Sequence, residues 1–162
     1  VGRCFGLAMS DISDGISAYR PIKGRMDIRI GKRLTVVDDT YNANPQSMRA
    51  AIDAVSIANG RRVLILGNMF ELGENQVQYH RELGEYAAKS GAGLIIGIGE
   101  NGSDIKAGAD ASGGTALSFE TQDELLVRLP ELLKAGDTIL VKGSRGMRLE
   151  KTADAVLQMA EL

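Results

Sequence analysis

The chain has 162 residues, 44% of them hydrophobic and 25% charged, with a formal net charge of −2. That balance supports one globular core, argues against disorder, and gives no general attraction to nucleic acid or to an anionic membrane surface. Cys4 is the sole cysteine, which excludes an internal disulfide and a multi-thiolate zinc site and fits a reducing, cytoplasmic compartment.

No apolar run approaches the roughly 20 residues needed to span a bilayer. Val1 to Leu7 lack the charged start, long apolar centre and cleavage site of a signal peptide. The chain opens without Met, as a piece of a longer protein would. Ser10-Asp11 is expected to cap a short helix containing Ile12 and Ile16, and Pro21 to Arg25 reads as a linker. Residues 1–24 are therefore read as the tail of a preceding domain with its linker, and residues 25–162 as the domain itself. Met26 to Ile30 alternates, is bounded by Gly24 and Gly31, and predicts an edge strand hairpinned onto the next one.

Five apolar runs follow: Leu34 to Val37, Val63 to Leu66, Leu94 to Ile96, Ala116 to Phe119 and Thr138 to Val141. Their continuous apolar character predicts strands buried on both faces, as in a parallel sheet covered by helices. Asn44-Pro45 supplies an N-cap and a first-turn proline, and Met48, Ala51, Ile52 and Val55 then form one stripe. Thr121 to Glu124 is a capping box, and Pro130 should kink or shorten the helix after it. A last helix carries Leu149, Ala153, Val156, Leu157 and Ala160 on one side. The alternation predicts a doubly wound α/β domain, with a mostly parallel, Rossmann-like sheet and one antiparallel edge strand.

In such sheets ligands gather beyond the carboxyl ends of the strands. The first loop there, Asp38 to Pro45, places two carboxylates and two asparagines ahead of a helix N-terminus. It can hold a ribose hydroxyl, a metal-bound water or a phosphate, or it can be a turn with Asn44 as cap and one Asp solvated. The second, Gly67 to Gly73, either walls a pocket or folds Met69 and Leu72 onto the core. The third, Lys142 to Gly146, brings two cations and a hydroxyl to a helix start, which suits a carboxylate or phosphate. No G-x-x-x-x-G-K-[ST] loop occurs, so nothing here cradles the phosphates of ATP unaided. Gly97 to Gly102 matches G-x-G-x-x-G, with Glu120 about 20 residues on, but it lies on a middle strand and is followed by a glycine-containing helix expected to pack weakly. His80 shares a helical face with Leu83, Gly84 and Ala87, so a structural histidine is expected rather than a general base.

Four segments, read in order, resemble the MurF family of Mur ligases: Lys23 to Arg25, Asp38 to Met48, Leu66 to Glu74 with His80 to Glu82, and Val141 to Met147. Asn68 departs from the family, which usually has Asp there, and the charge is lost. The resemblance implies a three-domain enzyme that adds D-alanyl-D-alanine to UDP-MurNAc-tripeptide through an acyl phosphate. An N-terminal domain holds the UDP sugar, a central P-loop domain holds ATP and Mg²⁺, and the C-terminal domain receives the amine. This chain corresponds to the third domain, with residues 1–24 left from the central one and its linker, and is expected to be inactive alone. The resemblance implies that Arg25 reaches ATP phosphate, that Asp39 holds the ribose, and that Tyr41, Asn42 and Asn44 line the junction of ATP and acceptor. The chemistry of the third loop suggests Lys142, Ser144 and Arg145 for the acceptor carboxylate, with Asn68 also at the substrate. Two rival readings are an NAD(P)- or flavin-binding oxidoreductase domain built on Gly97 to Gly102, and a non-catalytic α/β interaction module.

Overall fold

The computed structural model describes residues 1–18 and 22–161, so Pro21 of the expected linker lies outside the described residues. Six strands make one sheet: β1 Asp27–Ile30, β2 Thr35–Asp39, β3 Arg62–Gly67, β4 Leu94–Ile98, β5 Ala116–Phe119 and β6 Thr138–Lys142. Their spatial order is β1-β2-β6-β3-β4-β5. β1 runs antiparallel to β2, with Ile28 opposite Val37, and every other pairing is parallel. The expected architecture and the expected edge hairpin are both present.

Successive strand residues point to opposite faces, and both faces are covered. Val63 and Ile65 join Val36, Ile96, Ile139 and Val141 on one side of the sheet. Leu64 and Leu66 join Val37, Ile95 and Leu140 on the other. Each central strand feeds two cores, which is why its sequence reads as an unbroken apolar run. Each such Leu, Ile or Val contributes about 1.5–3 kcal/mol by leaving water. Helices α5 (Gln122–Leu132) and α6 (Glu150–Glu161) seal the first face with Leu125, Leu129, Ala153 and Val156. Helices α2 (Pro45–Ser56), α3 (Gln76–Lys89) and α4 (Gly102–Ala111) seal the second with Met48, Ile52, Leu83 and Ile105.

Three expectations change. β5 is not buried on both faces; it is the outermost strand, and Ala116, Leu117 and Phe119 are only half-buried. The first helix, α1 (Met9–Ser17), starts after Ala8, which places Ser10 and Asp11 inside its first turn rather than at its cap, and none of its side chains is buried. Helix α4 packs closely. A Cβ on Gly108 would lie 1.9 Å from the Arg81 carbonyl oxygen, and one on Gly84 would lie 1.9 Å from that of Ile105. The two missing side chains let the α3 and α4 backbones touch, which buries Ile105, Ala109, Leu83 and Ala87.

The cap at Asn44 forms as expected. Its side chain accepts from Ser47 N at 2.8 Å, and Ser47 Oγ accepts from Asn44 N at 3.0 Å. At Thr121 only half of a capping box forms, because Glu124 accepts from Glu120 N and not from Thr121 N. Pro130 falls in the last turn of α5. The chain leaves β2 and β3 toward helices on the second face and leaves β6 toward α6 on the first. The loops therefore part at their carboxyl ends and open a crevice there.

Candidate functional site

Asp39 and Lys142 end neighbouring parallel strands as register partners. Their side chains meet, with Lys142 Nζ 2.6 Å from Asp39 Oδ2 and only 3% of the lysine side chain exposed. Nζ also donates to the Asn42 carbonyl at 2.8 Å, and Met26 N donates to Asp39 Oδ1 at 3.0 Å. A buried ion pair loses solvation on both sides, so its value here is positional: it ties the β2 loop, the β6 end and the entry to β1 together. Of the two adjacent aspartates, only Asp39 keeps some exposure, 13% of its side chain. Asp38 is 1% exposed, and its Oδ1 accepts from Thr40 N at 3.1 Å and Thr40 Oγ1 at 2.7 Å. Its Oδ2 has no partner among the described residues.

Ser144 makes the second tie. Its hydroxyl accepts from Phe70 N at 2.9 Å and donates to the Ala43 carbonyl at 3.4 Å, while Ser144 N donates to Asn68 O at 2.9 Å. Asn68 is itself buried, and its Oδ1 accepts from Asn101 N at 3.1 Å. These bonds bring three loops, after β2, β3 and β6, into one rim. The expectation that Lys142, Ser144, Arg145 and Asn68 all meet a ligand is thereby narrowed. Lys142, Ser144 and the Asn68 Oδ1 bond within the protein, whereas Arg145 is exposed and lies 3.7 Å from Glu150.

Two adjoining clefts open on this rim. The first, about 440 Å³, is lined by Arg25, Asp39, Tyr41, Asn42, Asn44 and Lys142, with an apolar wall of Met26, Ala50, Ala51 and Ala54. The second, about 470 Å³, is lined by Phe70, Glu71, Leu72, Ser144 and Arg145, and it shares Asn42 and Asn44 with the first. Tyr41 meets one cation from each cleft: the Arg25 guanidinium lies 3.7 Å from its ring centroid and that of Arg145 5.6 Å. Asp39, Asn42 and Arg145 thus lie on one rim, although not in a single cleft.

Phe70 and Glu71 were not among the expected site residues, although the sequence marks their loop as one that could wall a pocket. Sequence reasoning missed the apolar wall, because alanines on a helix read as packing. His80 is fully buried and structural. Met69 N donates to its Nε2 at 2.8 Å, so the neutral ring must carry its proton on Nδ1, which lies 2.7 Å from the Gln76 carbonyl. Burial pushes its pKa below the ordinary value, against the Gln76 hydrogen bond and the charge of Asp104. His80 therefore holds the loop that walls the second cleft.

The G-x-G-x-x-G segment is used differently. A Cβ on Gly97 would lie 2.3 Å from the Gly102 carbonyl oxygen, so these glycines serve strand–helix packing. The cleft beyond them, about 710 Å³, is lined by Glu100, Glu120 and Glu124, three carboxylates that would repel a pyrophosphate. Among the described residues no group of three or more His, Cys, Asp or Glu could hold a metal ion, and no helix is long and apolar enough to cross a membrane.

The chain is similar in sequence and fold to known proteins. A family model described as "Mur ligase, glutamate ligase domain" matches residues 24–145. The UDP-N-acetylmuramoyl-tripeptide–D-alanyl-D-alanine ligase of Bacillus subtilis is 31% identical over 97% of this chain. MurF from Acinetobacter baumannii superposes with a TM-score of 0.84 at 33% identity over 94% of this chain. MurF ligase from Thermotoga maritima, solved in complex with ADP, gives a TM-score of 0.77 at 28% identity over 98%. This chain spans about a third of the length of each of those proteins (35%, 35% and 34%). With the family model covering the whole sheet, the chain belongs to the Mur ligase family as its C-terminal, glutamate ligase domain.

Proposed function

We propose that this chain is the acceptor-handling domain of an ATP-dependent ligase that joins D-alanyl-D-alanine to UDP-MurNAc-tripeptide in cytoplasmic cell-wall precursor synthesis. The observation that carries the reading is the pair of adjoining clefts sharing Asn42 and Asn44, with Arg25 in one and Arg145 in the other, each near the Tyr41 ring. Relatives bearing that ligase name, and a relative solved with ADP, support it. Residues 1–24 would then belong to the preceding domain and its linker. The start of the family match at residue 24 and the unburied side chains of α1 support that division.

The first cleft fits a nucleoside. Its volume suits a small ligand, its alanine and methionine wall suits a flat base, and Asp39 can accept from a ribose hydroxyl. Arg25, exposed at its mouth, suits a phosphate. ATP, when bound, would supply the phosphoryl group that activates a carboxylate for amide formation. Mg²⁺ finds no donor set on the described residues, and in this reading the absent central domain holds it.

This chain's own contribution is placement. Lys142, Ser144 and Asn68 lock the rim, Arg25 and Asp39 hold the nucleotide, and Arg145 orients the acceptor by its carboxylate. Fixing an amine beside an activated carboxylate turns a bimolecular encounter into an effectively unimolecular step. A phosphate-release assay on the full-length protein, with ATP, UDP-MurNAc-tripeptide and D-alanyl-D-alanine, should give phosphate only when all three are present. The isolated chain, which lacks a Walker A loop, should form no ADP. ADP formation by the isolated chain above that of its Arg25→Ala variant would contradict this reading.

A further inference from the structure

Two charged side chains of opposite sign line the second cleft without pairing to each other. Glu71 is exposed and makes no hydrogen bond or ion pair among the described residues. Arg145 is likewise exposed and is held only loosely, at 3.7 Å from Glu150. The backbone keeps Glu71 in place. Glu71 has φ of +62°, a left-handed conformation costly for a residue with a side chain, and Gly73 repeats that φ just beyond it. Upstream, Met69 N bonds to His80 and Phe70 N bonds to Ser144, so the loop is pinned immediately before Glu71. Phe70 packs on Gly146, where a Cβ would lie 2.8 Å from its ring. Phe70 and Leu72 line the cleft beside the charges and present surface for short aliphatic groups.

We infer that this cleft recognises a small zwitterion, with Glu71 binding its ammonium and Arg145 its carboxylate. The inference rests on the ligase reading and deepens it: Glu71 becomes the residue that aims the acceptor amine toward the neighbouring nucleotide cleft, across the shared Asn42 and Asn44. A carboxylate is the appropriate group because a charged hydrogen bond to an ammonium discriminates strongly against acceptors that lack one.

The test uses the full-length protein and its Glu71→Gln and Glu71→Asp variants in the phosphate-release assay. Glu71→Gln should raise KM for D-alanyl-D-alanine about ten-fold or more. KM for ATP should change little, and so should inhibition by D-lactyl-D-alanine, in which a hydroxyl replaces the amine. Glu71→Asp should recover part of the loss. Active wild type with an unchanged dipeptide KM in Glu71→Gln overturns this inference alone, as does an equal loss for the dipeptide and its hydroxyl analogue. Wild type that releases no phosphate overturns the ligase reading and this inference with it.

Discussion

The carboxyl rim of the sheet has two stretches that look equally promising and are built differently. Beyond β2, β6 and β3, the loops are tied to one another by the Lys142–Asp39 pair and by Ser144, and the groups left facing outward are of mixed sign: Arg25 and Arg145 near Tyr41, and Glu71 in the second cleft. Beyond β4 and β5 the cleft is larger, about 710 Å³ against about 440 and 470 Å³, yet its outward charges are all carboxylates and its glycines are consumed by packing. Neither cleft size nor a glycine spacing marks the site. What sets the proposed site apart is a rim that satisfies some polar side chains internally and leaves others facing outward.

The largest blow to that rim should come from Lys142→Ala, which leaves the Asp39 carboxylate without its ammonium. Urea unfolding should show a loss of about 3–5 kcal/mol, and the Asp39→Ala/Lys142→Ala double variant should recover part of it. Equal midpoints for wild type and Lys142→Ala would mean that the tie does not hold the rim. Next in size is Gly108→Ala, away from the site, where a Cβ would collide with the Arg81 backbone. It should cost about 1–3 kcal/mol in thermal unfolding and leave KM for ATP of the full-length protein near wild type. A variant as stable as wild type would show that α3 and α4 can separate freely.

The smallest effect is a pH dependence at His80. Burial lowers its pKa in the folded chain, so the unfolded chain binds the proton more readily as pH falls through about 6.5. Stability should therefore decline on acidification below that point, by no more than about 1.4 kcal/mol per pH unit from this group. A His80→Gln variant should lose that increment of the slope. Unfolding curves at pH 7.5 and pH 5.5 check it, and identical slopes for the two proteins would remove His80 as the cause.

Much of the fold was legible because a strand that feeds two cores must be apolar at consecutive positions, as Val63 to Leu66 is. The insertion of β6 between β2 and β3 was not, since nothing local encodes a pairing between residues as far apart as Asp39 and Lys142. The glycines of α3 and α4 misled for a physical reason: the missing side chain that weakens an isolated helix is what lets two helices touch. At the rim, loop composition and family resemblance named Arg25, Asp39, Tyr41, Asn42 and Asn44, which the structure gathers in one cleft. The orientation of Lys142, Ser144 and Asn68 was hidden because it depends on partners from other loops. Glu71 was hidden because its placement depends on a left-handed backbone and a pinned neighbour.

The claim that two adjoining clefts divide the work is tested most directly by steady-state phosphate release from the full-length protein, with ATP and D-alanyl-D-alanine varied in turn. Arg25→Ala should raise KM for ATP and leave that for the dipeptide near wild type, Arg145→Ala should do the reverse, and Glu120→Gln on the acidic stretch should change neither. If Arg25→Ala and Arg145→Ala shift both constants together, or if Glu120→Gln matches either of them, the division of the rim into a nucleotide cleft and an acceptor cleft is contradicted.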